Sequence, residues 1–132
     1  MIGIDTNILL RLLLVEDVGQ HRRAKVYILE HCTREQPGYI SVIVLCELMW
    51  TLHRSYRFDR NKQAQVVQAL LDVENMVVED HDLIRIALTD FRSSSLGFAD
   101  CLMGRRNARA GCKHTITFDK AASKLDSFEL PA

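Results

Sequence analysis

The first ten residues place an aspartate at the junction of two predicted elements. Ile2 and Ile4 are apolar and β-branched, and three polar residues separate them from a second apolar run, namely Asp5, Thr6 and Asn7. This order predicts a short buried strand that turns directly into a helix, with Asp5 at the turn. Ligands bind at the carboxyl ends of strands in open parallel sheets, so Asp5 is a candidate for chemistry. The alternative is that Asp5 only caps the helix, which is a common role for aspartate.

The composition is that of an ordinary globular protein, because 48% of the 132 residues are hydrophobic and 26% are charged. This length and balance predict a single domain spanning residues 1–132. No apolar run approaches the roughly 20 residues of a transmembrane helix, and the start of the chain lacks the features of a signal peptide. We therefore expect a cytoplasmic protein. The four cysteines form no C-x-x-C pair and the five histidines are scattered, so zinc and disulfides are poor candidates.

The charges balance overall but are unevenly distributed. Seventeen basic residues oppose 17 acidic ones, which argues against a protein that binds polyanions over its whole surface. Residues 105–113 are nevertheless basic, and residues 54–62 carry four basic residues against one acid. Most such segments are solvated helix faces. They permit, without demanding, a surface that follows a phosphate backbone.

Short apolar strands alternate with amphipathic helices along the chain. The strands are predicted at residues 2–4, 39–40, 76–78, 115–118 and 127–130. Ser41 and Asp59 are predicted helix caps, and Gly111 stands just past the end of the last long helix. The alternation predicts an α/β domain with a mainly parallel sheet between helical layers.

Four acidic residues occupy unusual positions in this pattern. Asp5 and Asp119 each end a predicted strand and open a helix, Glu47 interrupts the most apolar helix, and Asp100 lies in an apolar helical turn. An unpaired buried carboxylate is costly, and proteins normally protonate it, pair it or bind a metal ion to it. The four positions together therefore suggest a common site.

Each of these acids also has a simpler explanation. Arg11 and Arg54 are candidate ion-pair partners for Glu47. Asp100 lies close to the start of its helix, where the helix dipole favours a negative charge. Asp119 is well suited to cap the helical turn that follows it.

If the carboxylates converge, they need a counter-ion to stay charged together. Oxygen ligands without histidine or cysteine select a hard cation, Mg²⁺ or Mn²⁺. Such an ion lowers the pKa of a bound water to make a nucleophile and stabilises charge on the leaving oxygen, which suits phosphodiester hydrolysis. The chain contains no G-x-S-x-G, P-loop or dinucleotide-binding motif that would indicate other chemistry.

The order of the acidic motifs resembles that of the PIN-domain ribonucleases, and more narrowly that of the VapC-type toxins of toxin–antitoxin pairs. The motifs are Ile4-Asp5-Thr6-Asn7, Glu47 in the helix after Ser41, Gly97-Phe98-Ala99-Asp100 and Thr117-Phe118-Asp119. The resemblance covers nearly the whole chain. It implies a three-layer α/β/α fold with a five-stranded parallel sheet and a divalent-metal-dependent endoribonuclease activity. It also implies a homodimer that a cognate VapB-like antitoxin holds inactive.

The resemblance also implies roles for individual residues. The ligands of Mg²⁺ or Mn²⁺ would be Asp5, Glu47, Asp100 and Asp119. The supporting polar groups would be Thr6, Asn7 and Thr117. We further expect that the RNA backbone is guided by Arg105, Arg106 and Arg109.

Two other functions are compatible with the same residues. A phosphotransfer domain would use the strand-end Asp5 as its phosphate acceptor, although dehalogenase-type enzymes have a second aspartate where this chain has Asn7. A non-catalytic module that binds RNA or protein would use the acids only for folding. Met49 and Trp50 are expected in the core or on a dimer face.

Overall fold

The computed structural model describes all of residues 1–132, and a pair of helices separates each of the first three strands from the next. Contacts within the chain define two compact units, Met1–His81 and Asp82–Ala132, called here unit 1 and unit 2. None of the helices combines the length and the apolar composition that are needed to cross a membrane.

Unit 1 contains a three-stranded parallel sheet. Its elements are β1 (Ile2–Gly3), α1 (Thr6–Leu13), α2 (Val18–His31), β2 (Gly38–Ile40), α3 (Val42–Tyr56), α4 (Arg60–Asp72) and β3 (Met76–Val78). The strands pair in the order β1-β2-β3, and every pair is parallel. The N–H of Ile4 donates to the carbonyl of Tyr39 at 2.9 Å, so the pairing continues one residue beyond β1. Because the strands are parallel, all three carboxyl ends lie at one edge of the sheet.

Polar side chains start three of the helices in unit 1. Asp17, Ser41 and Asp59 each accept a hydrogen bond from the backbone N–H three residues later. These bonds satisfy N–H groups that have no partner within the helix. The predicted caps at Ser41 and Asp59 are therefore confirmed.

The core of unit 1 is built largely on one face of α3. Leu45, Leu48 and Leu52 are spaced three and four residues apart and are 0% exposed, which is the pattern of a buried helix stripe. Ile40 of β2 is also fully buried. Helix α3 packs on α1 and α4, and α4 packs on β3.

Unit 2 is smaller and combines helices with a two-stranded sheet. Its elements are α5 (His81–Arg92, which begins on the last residue of unit 1), α6 (Phe98–Arg109), β4 (Thr115–Ile116), a 3₁₀ turn (Ala122–Lys124) and β5 (Phe128–Glu129). Strands β4 and β5 pair in parallel. The rings of Phe91 and Phe98 meet edge to face, with centroids 6.0 Å apart, and so join α5 to α6. Gly111, just past α6, has a φ of 102°, as a glycine at a helix end commonly does.

The α/β class and the parallel pairing are confirmed, and the six helices with these strands fit the predicted three-layer arrangement. The prediction of one five-stranded sheet is wrong, because the strands form a three-stranded and a two-stranded sheet. Several strands are also shorter than predicted. In β4 the reason is local: the hydroxyl of Thr117 accepts the N–H of Asp119 at 3.0 Å, and the chain turns there. The single domain remains a prediction.

The close approach of α6 to β5 predicts a difference between two glycines. A β-carbon at Gly104 would lie 2.6 Å from Cε2 of Phe128 and 2.9 Å from Oγ of Ser127, whereas one at Gly19 would meet only Oδ1 of Asp17, at 3.4 Å. We expect Gly104→Ala to lower the free energy of unfolding by about 1–3 kcal/mol, because it overpacks a buried contact. Gly19→Ala should raise it by up to about 1 kcal/mol, because alanine favours the helix. Urea unfolding measures both, and an equal effect at the two positions would contradict this packing.

Candidate functional site

A polar residue follows each of the three strands of unit 1 at the carboxyl edge of the sheet. Asp5 comes after β1, Ser41 after β2 and Glu79 after β3. Two of them have structural roles at the start of α3: Ser41 caps the helix, and Oε1 of Glu79 accepts the N–H of Val42 at 2.8 Å. Glu79 was not predicted as a site residue. It follows the strand at residues 76–78, just as Asp5 follows the first strand, so the same sequence signal could have identified it.

Asp5 differs from the other aspartates that precede helices in unit 1. It occupies the N-cap position of α1, but its side chain accepts no capping hydrogen bond. Asp17 and Asp59 occupy the same position on α2 and α4, and both accept one. The structure therefore does not support a capping role for Asp5. Its carboxylate is exposed and both oxygens are available to a ligand.

Glu47 is connected to the start of α1 by a hydrogen bond. The hydroxyl of Thr6 donates to Oε1 of Glu47 at 3.1 Å, and Thr6 is only 8% exposed. Thr6 directly follows Asp5, so the bond places the Glu47 carboxylate next to the segment that carries Asp5. Oε2 of Glu47 is left available. Thr6 and Glu47 are therefore the predicted site residues of unit 1 that a hydrogen bond joins, and Asp5 directly precedes Thr6.

The predicted arginine partners of Glu47 have other contacts. Arg11 binds the side chain of Gln20 through its Nε and lies 3.8 Å from Glu16. The guanidinium of Arg54 lies over the ring of Trp50, 5.3 Å from its centroid. Glu47 is therefore not neutralised by an arginine.

The prediction that Glu47 lies on a buried face of its helix is wrong, because its side chain is exposed. Asp5, Glu47 and Asp119 are exposed, and Asp100 is half-buried. Helix α3 is misleading in sequence because apolar residues occupy two of its faces. Next to Glu47 in the helix surface, Ile43 and Trp50 are 72% and 61% exposed. Trp50 is therefore not a core residue, whereas Met49 is, with 3% exposure.

The remaining polar residue of the opening motif, Asn7, is exposed on α1. Its side chain lies at the wall of a cavity of about 550 Å³ formed by β1, α1 and α2. Arg11 and Arg23 line the same cavity, among mostly apolar neighbours.

In unit 2, Asp100 and Asp119 have different surroundings. Asp100 lies in the first turn of α6, and its half-buried carboxylate has no hydrogen bond or ion pair within the chain. Oδ1 of Asp119 accepts the N–H groups of Ala121 and Ala122 at 2.9 and 3.3 Å. The capping role predicted as the simpler explanation for Asp119 is therefore present. Thr117 supports the same turn through its hydroxyl.

Among the three arginines of α6, Arg105 forms a bidentate ion pair with Asp90. Nε and Nη2 of Arg105 donate to the two oxygens of Asp90 at 2.7 and 3.0 Å. The hydrogen bond to Asp90 raises the pKa of Arg105 above its ordinary value, and the Asp90 side chain is only 17% exposed. Arg105 thus ties α6 to α5. Arg106 and Arg109 are exposed on α6.

The donors around Asp5 fit a hard cation in their chemistry. Asp5 and Glu47 offer carboxylate oxygens, and neither unit by itself contains three or more histidine, cysteine, aspartate or glutamate side chains grouped to hold a metal ion. An oxygen-only donor set selects Mg²⁺ or Mn²⁺ over zinc.

Comparison with known proteins gives two matches. The family model of the PIN domain matches residues 2–127. A VapC ribonuclease of Aquifex aeolicus (strain VF5) is 29% identical over 82 residues, a stretch that covers 62% of this chain and 61% of that protein. The matched stretch thus spans about three fifths of the length of that relative.

The contrast among the N-cap aspartates predicts different effects on stability. Asp59→Ala should lower the free energy of unfolding by about 1 kcal/mol, because it removes a capping hydrogen bond. Asp5→Ala should change it by less than about 0.5 kcal/mol, because no such bond is lost. Urea unfolding in metal-free buffer measures both. A loss at Asp5 as large as that at Asp59 would assign Asp5 a structural role.

Proposed function

The chain belongs to the PIN-domain family, as its motifs predicted, and we propose that it is a divalent-metal-dependent endoribonuclease. The observation that carries the proposal is the Asp5 carboxylate, which stands at the carboxyl edge of the sheet without a structural partner. A carboxylate that does not cap its own helix has both oxygens free to bind an ion. The similarity to a VapC ribonuclease supports RNA as the substrate and favours hydrolysis over phosphotransfer.

We propose that Asp5, Glu47, Asp100 and Asp119 hold Mg²⁺ or Mn²⁺. Asp5, Glu47 and Asp100 would be the principal ligands, because none of their carboxylates accepts a hydrogen bond from a backbone N–H group within the chain. Asp119 would contribute least, because its Oδ1 already caps a turn. It would bind through Oδ2, position water, or serve a second ion.

The chain's own residues would hold the site in order. A carboxylate-bound divalent ion supplies an activated water and stabilises charge on the leaving oxygen. Thr6 would fix the direction of Glu47 through its hydroxyl, as hydrogen bonds to the ligands of a metal ion commonly do. Asn7 and Thr117 would support the site as further polar groups. The RNA backbone would be guided by Arg105, Arg106 and Arg109.

The biological role proposed here is that of a toxin in a toxin–antitoxin pair. The resemblance to VapC-type proteins supports this role, together with a VapB-like antitoxin as the partner that blocks the site. As part of the same proposal, the protein acts in the cytoplasm as a homodimer, and its two units work as a single domain covering residues 1–132.

Removal of either principal aspartate should abolish cleavage of RNA. We expect Asp5→Asn and Asp100→Asn to lower the Mn²⁺-dependent rate at least about 100-fold, because each loses a charged ligand. Asp17→Asn is the matched control, since asparagine still caps α2 and its rate should equal that of the wild type. The assay follows a labelled single-stranded RNA with Mn²⁺ and with EDTA. Cleavage that persists in EDTA, or in Asp5→Asn, would contradict the metal assignment.

The orientation of Glu47 gives a separate prediction. Thr6→Val keeps the size of the side chain but removes the donor to Glu47, and we expect the rate to fall about 10- to 100-fold. Thr6→Ser restores the hydroxyl and should recover most of the rate. The rate constants are compared at saturating Mn²⁺. Equal rates for the wild type and Thr6→Val would show that the hydrogen bond has no part in the reaction.

A further inference from the structure

The face of α3 that carries Glu47 continues into an exposed aromatic and basic surface. Glu47, Trp50 and Arg54 are spaced three and four residues apart and therefore lie on the same side of the helix. Trp50 is 61% exposed. The Arg54 guanidinium lies 5.3 Å from the centroid of its ring, a distance at which a cation and an indole attract each other.

The corner between α3 and α4 carries two further basic side chains. Arg57, exposed and with a φ of 55°, ends α3, and the Nζ of Lys62 lies 5.7 Å from the ring centroid of Phe58. The corner is held in place through the carbonyl of Phe58. It accepts a hydrogen bond from Nε2 of Gln63 at 3.1 Å and lies 3.2 Å from Nδ1 of His53.

Acidic side chains do not neutralise the surface. Residues 54–62 contain four basic residues and one acid, Asp59. The Asp59 carboxylate caps α4 by accepting the N–H of Lys62 at 2.8 Å. Arg54, Arg57 and Lys62 form no ion pair within the chain. Three positive side chains therefore face solvent beside an exposed indole, in a protein whose net charge is zero.

We propose that the surface formed by Trp50, Arg54, Arg57 and Lys62 binds the single-stranded RNA that leads away from Glu47. Positive side chains that follow the backbone and an aromatic ring that stacks a base are the two elements of single-strand binding. Along the helix axis, Arg54 lies about 10 Å from Glu47, so the surface would meet nucleotides next to the reacting one. The proposal rests on the proposed function for the identity of the ligand.

A second copy of the chain fits this surface less well. The usual dimer is two-fold symmetric, and such an interface places the same patch of both subunits against each other. The basic side chains of the two patches would then be brought close together, and the like charges would repel. RNA instead supplies the opposite charge.

The single tryptophan of the chain makes the proposal directly measurable. The wild-type protein is titrated in EDTA, where the proposed reaction does not proceed, with a short single-stranded RNA. We expect saturable quenching of Trp50 fluorescence as a base stacks on it. With fluorescence anisotropy of labelled RNA, Trp50→Ala should weaken binding about 5- to 150-fold, and Trp50→Phe should retain most of the affinity.

The basic residues are tested through salt dependence. Arg54→Ala combined with Arg57→Ala should reduce the slope of log K against log salt by about 1.4, which is roughly 0.7 for each lost phosphate contact. The matched control is Arg22→Ala combined with Lys25→Ala, two exposed basic residues of α2, and its slope should not change. Thermal melting checks that each variant is folded.

Three results would overturn the proposal. The first is RNA binding without quenching of Trp50, and the second is an unchanged slope in the Arg54 and Arg57 variant. The third is a change of oligomeric state in Trp50→Ala, by sedimentation, with unchanged RNA affinity, which would assign the surface to a second copy. Because binding is measured without metal, these results are separate from those of the cleavage assay. Quenching with no Mn²⁺-dependent cleavage would contradict the proposed function alone.

Discussion

The hydrogen bond from Thr6 to Glu47 links two segments 41 residues apart in the chain. Thr6 is 8% exposed, and a buried hydroxyl needs a partner, which here is a carboxylate on α3, the helix that follows β2. Helix α1 starts directly after β1, and α3 starts directly after β2, so both donor and acceptor belong to the carboxyl edge. The position of Glu47 next to the segment that carries Asp5 is therefore a consequence of packing.

The acids of the chain separate into two groups by their contacts. Asp17, Asp59, Glu79 and Asp90 each satisfy a backbone N–H or a guanidinium, and their positions follow from folding. Asp5 does not. Three of the four predicted metal ligands are exposed, so burial does not mark them as functional. What distinguishes Asp5 is that its side chain accepts no capping hydrogen bond. Carboxylates with oxygens to spare at a sheet edge are what a hard cation requires.

Features that depend on neighbouring residues, such as helix caps, were predicted from the sequence. Features that depend on contacts between distant residues were not. The caps at Ser41 and Asp59 were readable because each depends on a backbone N–H three residues away. The division of the strands into two sheets was not predicted, because strand pairing depends on residues far apart in the chain. The exposure of Glu47 was also missed, and for Trp50 the core was only one of two predicted positions, since α3 is apolar on two faces and periodicity alone does not say which one is covered.

We propose that Asp5, whose side chain has no structural hydrogen-bond partner, binds a divalent ion. Calorimetric titration of Mn²⁺ into the RNA-free protein tests it most directly, with Asp5→Asn and Asp17→Asn as a matched pair. The account predicts saturable binding by the wild type and by Asp17→Asn, and binding at least about 10-fold weaker by Asp5→Asn. Equal Mn²⁺ affinity in all three proteins, or no binding by the wild type, would contradict it.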